Sequence, residues 1–142
     1  MEMYDEVLQK IVDYVLNPPE FSKTAIHNAC WSFLDAIGCG ILALDFPTCK
    51  KLLGPVVPGA FCEMGSRVPG CDWELDPVQA AFNIGTMIRW LDYNDTWLAA
   101  EWAHPSDNLG AILAVCDFVN RRENKDWTLE TVIHAMIMAY EI

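Results

Sequence analysis

A short segment between two predicted helices holds the residues with the clearest potential for chemistry. It runs from residue 89 to residue 107 and combines carboxylates with one of the three histidines of the chain and several tryptophans. Carboxylates and imidazoles are common proton donors and acceptors in enzymes. Buried aromatic rings beside them would lower the local dielectric constant and shift their pKa values. We therefore predict an acid–base site in this segment, whose candidate groups are four carboxylates, one imidazole and one hydroxyl: Asp92, Asp95, Glu101, Asp107, His104 and Thr96.

The helix predicted before this segment indicates where a wall of the site would lie. The Asp-Pro pair at residues 76–77 suits an N-cap and a first helical position, and residues 78–91 are apolar on nearly every side. Such a pattern predicts a buried helix. Gln79, Asn83 and Thr86 share one face of it. Because this polar stripe leads to the acid–base segment, we expect it to line the site, in preference to forming a hydrogen-bond network inside the helical bundle.

A second predicted helix begins at the far end of the segment. The run Pro105-Ser106-Asp107 has residue types that are common in a first helical turn. His104 would then lie at the positive end of a helix dipole, which favours a neutral imidazole. A neutral imidazole in a partly dry pocket is suited to proton transfer. The alternative is a histidine that lies at a helix start and has no role in catalysis.

Composition and charge exclude several other classes of protein. The formal net charge is −11 and no basic stripe occurs, so we expect neither nucleic acid nor a membrane as a partner. The hydrophobic content of 53% excludes disorder, and in a chain of 142 residues it indicates apolar surface for another segment or subunit, which leaves a homodimer open. The six cysteines form no CxxC pair, so we predict no cofactor, no metal site and no disulfides.

The first ten residues indicate the compartment. They contain three acidic side chains and no apolar core, which argues against a signal peptide and against a mitochondrial presequence. The longest apolar run, residues 36–44, is too short to span a bilayer. We predict a cytoplasmic protein, with the mitochondrial matrix as the alternative if an upstream presequence is missing.

Hydrophobic periodicity predicts an all-α fold. The long loop of residues 54–73 is rich in proline and glycine, and we expect it to be functional or to lie over another segment, with a short hairpin around residues 60–68. Gly38 and Gly40 inside a helix predict close packing there. The predicted helices cover residues 4–16, 22–44, 46–53, 76–92, 106–122 and 128–142.

The last predicted helix has no stop signal before Ile142, so we expect residues 1–142 to be a fragment of a longer polypeptide. Four stretches resemble the start of the MmgE/PrpD family, and the resemblance runs from about residue 21 onward. It implies the N-terminal portion of a helical domain, with the smaller α/β lid domain of the family lying beyond this fragment. The stretches are residues 34–40, 51–55, 75–85 and 89–108.

The resemblance also implies an activity. It implies a hydro-lyase that removes water from 2-methylcitrate to give 2-methylaconitate in propionate breakdown, without an iron–sulfur cluster. A related decarboxylase of cis-aconitate shares the pattern Asp-x-x-x-Thr followed by His-Pro, which is matched here by Asp92, Thr96 and His104. This chain has two more residues between the threonine and the histidine, which favours the dehydratase. A citrate- or cis-aconitate-acting dehydratase or decarboxylase remains an alternative.

Dehydration of such a tricarboxylate requires a base, an acid and cations that hold the carboxylates. His104 is the predicted base or acid, and Asp92 is predicted to orient the imidazole or to act as its partner. Thr96 is predicted to hydrogen-bond a substrate carboxylate and Arg89 to bind one. Because Arg89 is the only nearby cation in the sequence, we expect other site residues beyond Ile142 and an inactive fragment.

Two interpretations from other classes remain open. Asp92, Asp95, Glu101 and His104 would suit a divalent metal ion by residue type, although their spacing matches no metal motif. Alternatively, the chain is an interaction module without catalysis of its own. An activity assay separates the enzyme from the module, and a chelator separates the two chemistries.

Overall fold

The computed structural model describes residues 5–98 and 100–142. Within these residues the fold is mainly helical, as the periodicity predicts, and the short strands form two separate two-stranded sheets. A 3-10 helix, Pro105–Asn108, directly precedes the fifth α-helix. The α-helices are α1 (Glu6–Leu16), α2 (Lys23–Ala43), α3 (Pro47–Lys50), α4 (Pro77–Arg89), α5 (Leu109–Glu123) and α6 (Leu129–Glu141), and the strands are β1 (Ser66–Arg67), β2 (Glu74–Leu75), β3 (Trp97–Leu98) and β4 (Trp102–Ala103).

Local capping explains why the helices begin where the sequence predicts. The Ser22 hydroxyl accepts a hydrogen bond from the first turn of α2, and the Asp76 carboxylate accepts two from the first turn of α4. The backbone N–H of Thr128 donates to Oγ1 of Thr131 at the start of α6, at 3.3 Å. These bonds satisfy backbone groups that would otherwise lack a partner at a helix terminus.

Helices α4 and α5 pack closely at the centre of the fold. A Cβ atom on Gly110 would lie 2.7 Å from the carbonyl oxygen of Ala81 and 2.9 Å from the backbone nitrogen of Gly85. Only glycine therefore permits this approach of α5 to α4. The buried side chains of both helices join those of α2 and α6 in one hydrophobic core.

Helix α2 packs its small residues against α4. A Cβ atom on Gly40 would lie 3.7 Å from Cγ1 of Ile88, so the prediction of close packing is confirmed at this position. The prediction is wrong for Gly38, whose Cβ would meet nothing within 4 Å. Side chains at positions i and i+2 of a helix point about 200° apart, so Gly38 and Gly40 cannot both face α4.

Helix α2 is also long and apolar enough to span a membrane, a criterion that core helices of globular proteins meet as well.

Burial of α4 on every side is not observed. Val78 is 79% exposed and Phe82 is 56% exposed, one turn apart on the same face. The opposite side carries buried residues, among them Ile84 and Met87. The prediction is therefore right for the faces toward α2 and α5 and wrong for the face that no described residue covers.

Residues 54–73 lie over α4 and α5, which confirms one of the two expectations for this loop. The backbone N–H of Gly54 donates to Oδ1 of Asn83 at 2.6 Å, and Nε2 of Gln79 donates to the Gly54 carbonyl at 3.0 Å. Two members of the polar stripe on α4 thus hold the loop by buried or partly buried hydrogen bonds. The stripe forms the internal network, and its interpretation as a wall of the site is wrong for Gln79 and Asn83.

The hairpin in this region differs from the predicted one. Strand β1 pairs antiparallel with β2, in the register Ser66 with Leu75 and Arg67 with Glu74. We call residues 66–75 the docked hairpin, because Ser66 and Leu75 are buried and the Ser66 hydroxyl donates to the carbonyl of Ala114 in α5 at 2.6 Å. The prediction of a hairpin within residues 60–68 is wrong, because the pairing partner of β1 lies later in the chain.

Ion pairs attach the same hairpin to α5. Asp117 accepts from the backbone N–H of Arg67 at 2.8 Å and from its guanidinium at 2.6 Å and 3.1 Å. Arg121 lies 2.8 Å from Glu74. Burial acts to raise the pKa of the Asp117 carboxyl, but the hydrogen bonds from Arg67 outweigh it and hold that pKa below its ordinary value.

Helix α1 is amphipathic, as its sequence predicts, yet it contributes no buried residue. Its apolar face includes Val7, which is 66% exposed, and Leu16, which is 71% exposed. The Tyr14 hydroxyl is shielded from solvent and has no hydrogen-bond partner among the described residues. The apolar excess noted in the composition therefore remains at the surface here.

Candidate functional site

The acid–base segment connects α4 to the 3-10 helix through the second two-stranded sheet. Asp92 ends the helical stretch with a φ of 56°, a left-handed conformation that turns the chain away from α4. Strands β3 and β4 then pair antiparallel, in the register Trp97 with Ala103 and Leu98 with Trp102. We call residues 97–103 the exposed hairpin, because all four strand residues are exposed.

The tryptophans do not enclose the acidic groups. Trp97 is 60% exposed and Trp102 is 69% exposed, whereas Trp90 is half-buried against the core. The prediction that buried tryptophans surround the acidic groups is therefore wrong for Trp97 and Trp102, although Trp97 lines one wall of the cavity that opens beside Asp95. The indole of Trp102 contacts the ring of His104 edge-on, with 5.9 Å between the ring centroids.

His104 lies at the base of the exposed hairpin, at the N-cap position of the 3-10 helix, where its side chain makes no capping hydrogen bond. The prediction that His104 lies at a helix start is confirmed, whereas the prediction of an N-cap at Pro105 or Ser106 is wrong. Its Nδ1 lies 2.7 Å from the backbone carbonyl oxygen of Asp95 and 3.4 Å from Oγ1 of Thr96. The structure therefore brings together His104 and Thr96, two of the four predicted site residues. The shorter distance identifies the Asp95 carbonyl as the main partner of the imidazole.

Asp95 is the residue around which the segment is organised. Its Oδ2 accepts a hydrogen bond from the Tyr140 hydroxyl at 2.7 Å, and its Oδ1 accepts one from the backbone N–H of Ser106 at 3.2 Å. Burial, followed by the Asp95 carboxylate, raises the pKa of the Tyr140 phenol above its ordinary value. Asn94 donates to the buried hydroxyl of Ser106 at 2.7 Å and so anchors the same region.

Sequence reasoning missed Tyr140. It follows the apolar period of α6, which by itself predicts one more core residue. A signal was available, because a tyrosine in a buried stripe needs a partner for its hydroxyl. The identity of the partner could not be predicted from the sequence, because Asp95 lies 45 residues away along the chain.

Arg89 joins the segment to the end of α4. Its guanidinium donates to Oδ1 of Asn94 at 2.8 Å and to Oδ1 of Asp92 at 2.7 Å, and its Nε lies 3.4 Å from Oδ1 of Asp107. Asp92 thus pairs with Arg89, and no hydrogen bond joins it to His104 within the described residues. A substrate carboxylate at Arg89 would have to compete with two protein carboxylates.

A cavity of about 300 Å³ opens beside Asp95, between α2, α6 and the exposed hairpin. The polar residues of its lining are Asn28, Ser32, Asp95, Thr96, Tyr140 and Glu141. Neither lysine nor arginine is among its lining residues. The cavity is large enough for a small ligand, but an anionic ligand would need cations from elsewhere.

The metal interpretation receives no geometric support. Across residues 5–98 and 100–142, no three His, Cys, Asp or Glu side chains approach one another as the ligands of one metal ion would. Glu101, one of the four candidate ligands, is exposed on the hairpin. The carboxylates of Asp92 and Asp95 already bind Arg89 and Tyr140, respectively.

The fold and the segment define a helical domain that presents a histidine at the start of a helix. The sequence matches the model of the MmgE/PrpD N-terminal domain over residues 9–142, so the chain belongs to the MmgE/PrpD family. The resemblance found in the sequence is thereby confirmed.

Its relatives include proteins named 2-methylcitrate dehydratase. The chain is 56% identical to that of Escherichia coli (strain K12) over 98% of this chain and 30% of the relative, and 55% identical to that of Salmonella typhimurium with the same coverage. It is 50% identical to "2-methylcitrate dehydratase, mitochondrial" of Yarrowia lipolytica, over 97% of this chain and 28% of the relative. The chain therefore spans about 30% of the length of these relatives.

Proposed function

We propose that this chain is the N-terminal part of a 2-methylcitrate dehydratase, a hydro-lyase that removes water from 2-methylcitrate to give 2-methylaconitate. The observation that carries the proposal is an identity of 50–56% with proteins of that name from bacteria and a yeast, over 97–98% of the chain. The substrate is a small tricarboxylate, used in propionate breakdown through the methylcitrate cycle.

In this proposal the acid–base segment supplies the proton-transfer groups. His104 exchanges a proton with the substrate, and Thr96, which lies 3.4 Å from the imidazole, hydrogen-bonds a substrate carboxylate. Asp92 is the second acid–base group, and its side chain is 74% exposed and thus accessible to a ligand. Arg89 binds a substrate carboxylate by exchanging one of its protein carboxylates for it.

The charge balance supports a site that is completed elsewhere. A tricarboxylate carries up to three negative charges, and the cavity beside Asp95 adds acidic groups without a lysine or arginine in its lining. Bringing these charges together without cations would cost several kcal/mol, at about 332/(εr) per pair. We propose that other parts of the full-length product supply the missing cations, and that residues 1–142 alone are inactive.

The proposal includes a place and partners for the protein. We propose a cytoplasmic enzyme without a cofactor, and the mitochondrial matrix is the alternative that the name of the Yarrowia relative supports. A homodimer would cover part of the exposed apolar surface on α1 and α4. Sedimentation of the full-length product of the gene tests the oligomeric state.

The test of function is an assay of the full-length product of the gene with 2-methylcitrate, following the ultraviolet absorbance of the conjugated product. His104→Gln and Asp92→Asn should each lower kcat by at least roughly 10²-fold, the usual scale for acid–base groups. His27→Gln is the matched control, because His27 is an exposed residue that pairs with Trp31 on α2. Normal turnover by His104→Gln would contradict the proposed role of the imidazole.

A second function, dehydration of a related substrate, is favoured by one comparison. The chain is also 40% identical to "Alkylcitrate dehydratase phiI" of a fungus, over 98% of this chain. Comparison of kcat/KM for 2-methylcitrate, citrate and cis-aconitate distinguishes the substrates. Release of CO2 from cis-aconitate would identify a decarboxylase instead of a dehydratase.

A chelator separates the proposed chemistry from metal-assisted dehydration. Dialysis of the full-length product against a chelator should leave its activity intact, because the proposed proton transfer uses only side chains. Activity that is lost on dialysis and restored by Mg²⁺ or Fe²⁺ would favour a metal site. The isolated chain of residues 1–142 serves as the control for an incomplete site.

A further inference from the structure

The two nitrogens of the His104 ring have different surroundings. Nδ1 lies 2.7 Å from the backbone carbonyl oxygen of Asp95. A carbonyl oxygen only accepts hydrogen bonds, so a bond at this distance requires a hydrogen on Nδ1. In a neutral imidazole the other nitrogen then carries the lone pair.

The second nitrogen, Nε2, makes no hydrogen bond to the described residues. Among residues 5–98 and 100–142, no group hydrogen-bonds Nε2 of His104, and the ring is only half-buried. The nearest aromatic neighbour, Trp102, approaches the ring edge-on and is itself exposed. A ligand therefore meets the imidazole at the nitrogen that can accept a proton.

Two separate elements fix the carbonyl that sets this arrangement. The Asp95 side chain is held at one oxygen by the hydroxyl of Tyr140 on α6 (2.7 Å) and at the other by the backbone N–H of Ser106 in the 3-10 helix (3.2 Å). With both carboxylate oxygens engaged, the Asp95 backbone cannot rotate freely. Its carbonyl consequently stays directed at Nδ1 of the ring.

We propose that Asp95 and Tyr140 are positioning residues that hold His104 as the Nδ1–H tautomer, so that Nε2 acts as the base. This inference rests on the proposed function for its catalytic meaning. It deepens that function, because a neutral Nδ1–H ring can take a proton at Nε2 but has none to give there.

The step balances as an elimination. The C–H bond beside a substrate carboxylate breaks and its proton moves to Nε2. The electron pair of that bond forms the new C=C bond, and the C–O bond breaks. The hydroxyl leaves as water with a proton from a general acid. The imidazolium that forms keeps its hydrogen bond from Nδ1 to the Asp95 carbonyl, which stabilises the new charge.

A purely structural role for the Tyr140–Asp95 bond is the competing explanation, since it also ties α6 to the acid–base segment. Loss of stability in a variant would not distinguish the two. The tautomer of His104 does, because a bond that serves only stability should not change which nitrogen carries the hydrogen.

The first experiment measures that tautomer directly. The chain has three histidines, so ¹⁵N-histidine labelling gives three rings whose protonated and unprotonated nitrogens have well-separated chemical shifts at high pH. His27 is an internal reference, because its Nε2 accepts a hydrogen bond from Nε1 of Trp31 at 2.9 Å and its hydrogen is therefore on Nδ1. We expect the Nδ1–H pattern for His104 as well. The Nε2–H pattern in the wild-type chain would overturn the proposal.

Tyr140→Phe should shift His104 toward the Nε2–H tautomer and leave the spectra of the other two rings unchanged. Tyr14→Phe is the matched control, because it removes a hydroxyl without a hydrogen-bond partner among the described residues. Asp95→Ala should have the same effect on His104 as Tyr140→Phe, whereas Asp95→Asn, which retains an acceptor oxygen, should retain more of the native tautomer. An unchanged His104 in both Tyr140→Phe and Asp95→Ala would overturn the proposal.

The second experiment measures turnover of the full-length product of the gene. Tyr140→Phe should lower kcat by at least about tenfold, the scale for loss of an orienting partner, with KM changed less than kcat. An equal kcat in wild type and Tyr140→Phe would overturn the positioning role. An inactive full-length product whose His104 still shows the Nδ1–H pattern would overturn the proposed function and support the tautomer assignment.

Discussion

The docked hairpin and the exposed hairpin are the same small element in two different settings. Each consists of two antiparallel strands of two residues. In the docked hairpin Leu75 is 3% exposed and Ser66 is fully buried, and ion pairs attach it to α5. In the exposed hairpin Leu98 is 83% exposed, and the side-chain hydrogen bonds found among the described residues lie at its base, at Asp95 and His104.

The difference separates a hairpin that is part of the core from one whose base holds the residues for which we propose chemistry. An isolated two-stranded hairpin is marginal in water, so each one needs other contacts to hold its shape. The docked hairpin obtains them from the burial of Ser66, Val68 and Leu75 and from its ion pairs to α5. The exposed hairpin obtains them from hydrogen bonds to the residues that we assign to the site. We therefore expect changes in the first to affect folding and changes at the base of the second to affect turnover.

The largest expected effect on stability is that of Leu75→Ala. Removal of a buried leucine side chain costs the transfer free energy of the lost atoms and leaves a cavity, about 2–5 kcal/mol in total. Leu75 belongs to the central core cluster, so the loss affects the packing of the docked hairpin on the helices. Urea unfolding of the chain, followed by circular dichroism, measures the free energy of unfolding. A loss below about 0.5 kcal/mol would show that the docking is not based on burial.

A smaller effect is expected for Asp117→Asn, which weakens the attachment of Arg67 to α5. The change removes one of the two charges but keeps an oxygen that can accept a hydrogen bond. Arg67 is 67% exposed at its side chain, so solvent screens the pair and the expected loss is about 1 kcal/mol. The same urea experiment measures this loss. An increase in the free energy of unfolding would indicate that desolvation of the Asp117 charge destabilises the fold by more than the ion pair stabilises it.

The pH dependence of stability follows from the same carboxylate. The folded state holds the pKa of Asp117 below its ordinary value, so the unfolded state binds the proton more readily. This contribution is complete above the unfolded pKa of about 3.9 and is lost as the pH falls through the lower folded value. Between about pH 5 and pH 2, a range that brackets this pKa, the free energy of unfolding should therefore fall more for the wild type than for Asp117→Asn. Parallel curves for the two proteins would contradict the assignment.

The smallest effect is expected for Leu98→Ala, which matches Leu75→Ala in chemistry and differs in setting. An 83% exposed leucine gains little from burial, so the free energy of unfolding should change by less than about 0.5 kcal/mol. A larger loss would mean that a surface not described in this structure covers the exposed hairpin. The pair of leucine variants thus tests the comparison with one type of substitution.

Local features of the fold were predictable from the sequence because their causes are local. Ser22 and Asp76 start helices through bonds to residues two or three positions away, and both starts were predicted. The position of the docked hairpin was not, because its register is set by packing against α5. The exposure of Trp97 and Trp102 was also missed, since hydrophobicity predicts a preference for burial but does not show whether a partner surface is present.

The candidate site was likewise predictable only in part. The sequence predicted His104 and Thr96 as members of one site, and the structure places them 3.4 Å apart at their nearest polar atoms. It did not predict that Arg89 would bind Asp92, or that the backbone of Asp95 would contact the imidazole. Those contacts depend on the left-handed turn at Asp92 and on an antiparallel register, neither of which has a distinct signature in residue type.

The base of the exposed hairpin also bears on how this segment can vary in length. Asp95 and His104 are joined below the strands, and the hydrogen bonds from Ser106 and Tyr140 lie on the same side. Inserting or deleting two residues at the tip lengthens or shortens each strand by one residue and leaves the base in place. The two additional residues that separate this chain from the decarboxylase pattern fall between Thr96 and His104. A change of length at this point would therefore alter the tip of the exposed hairpin without displacing His104.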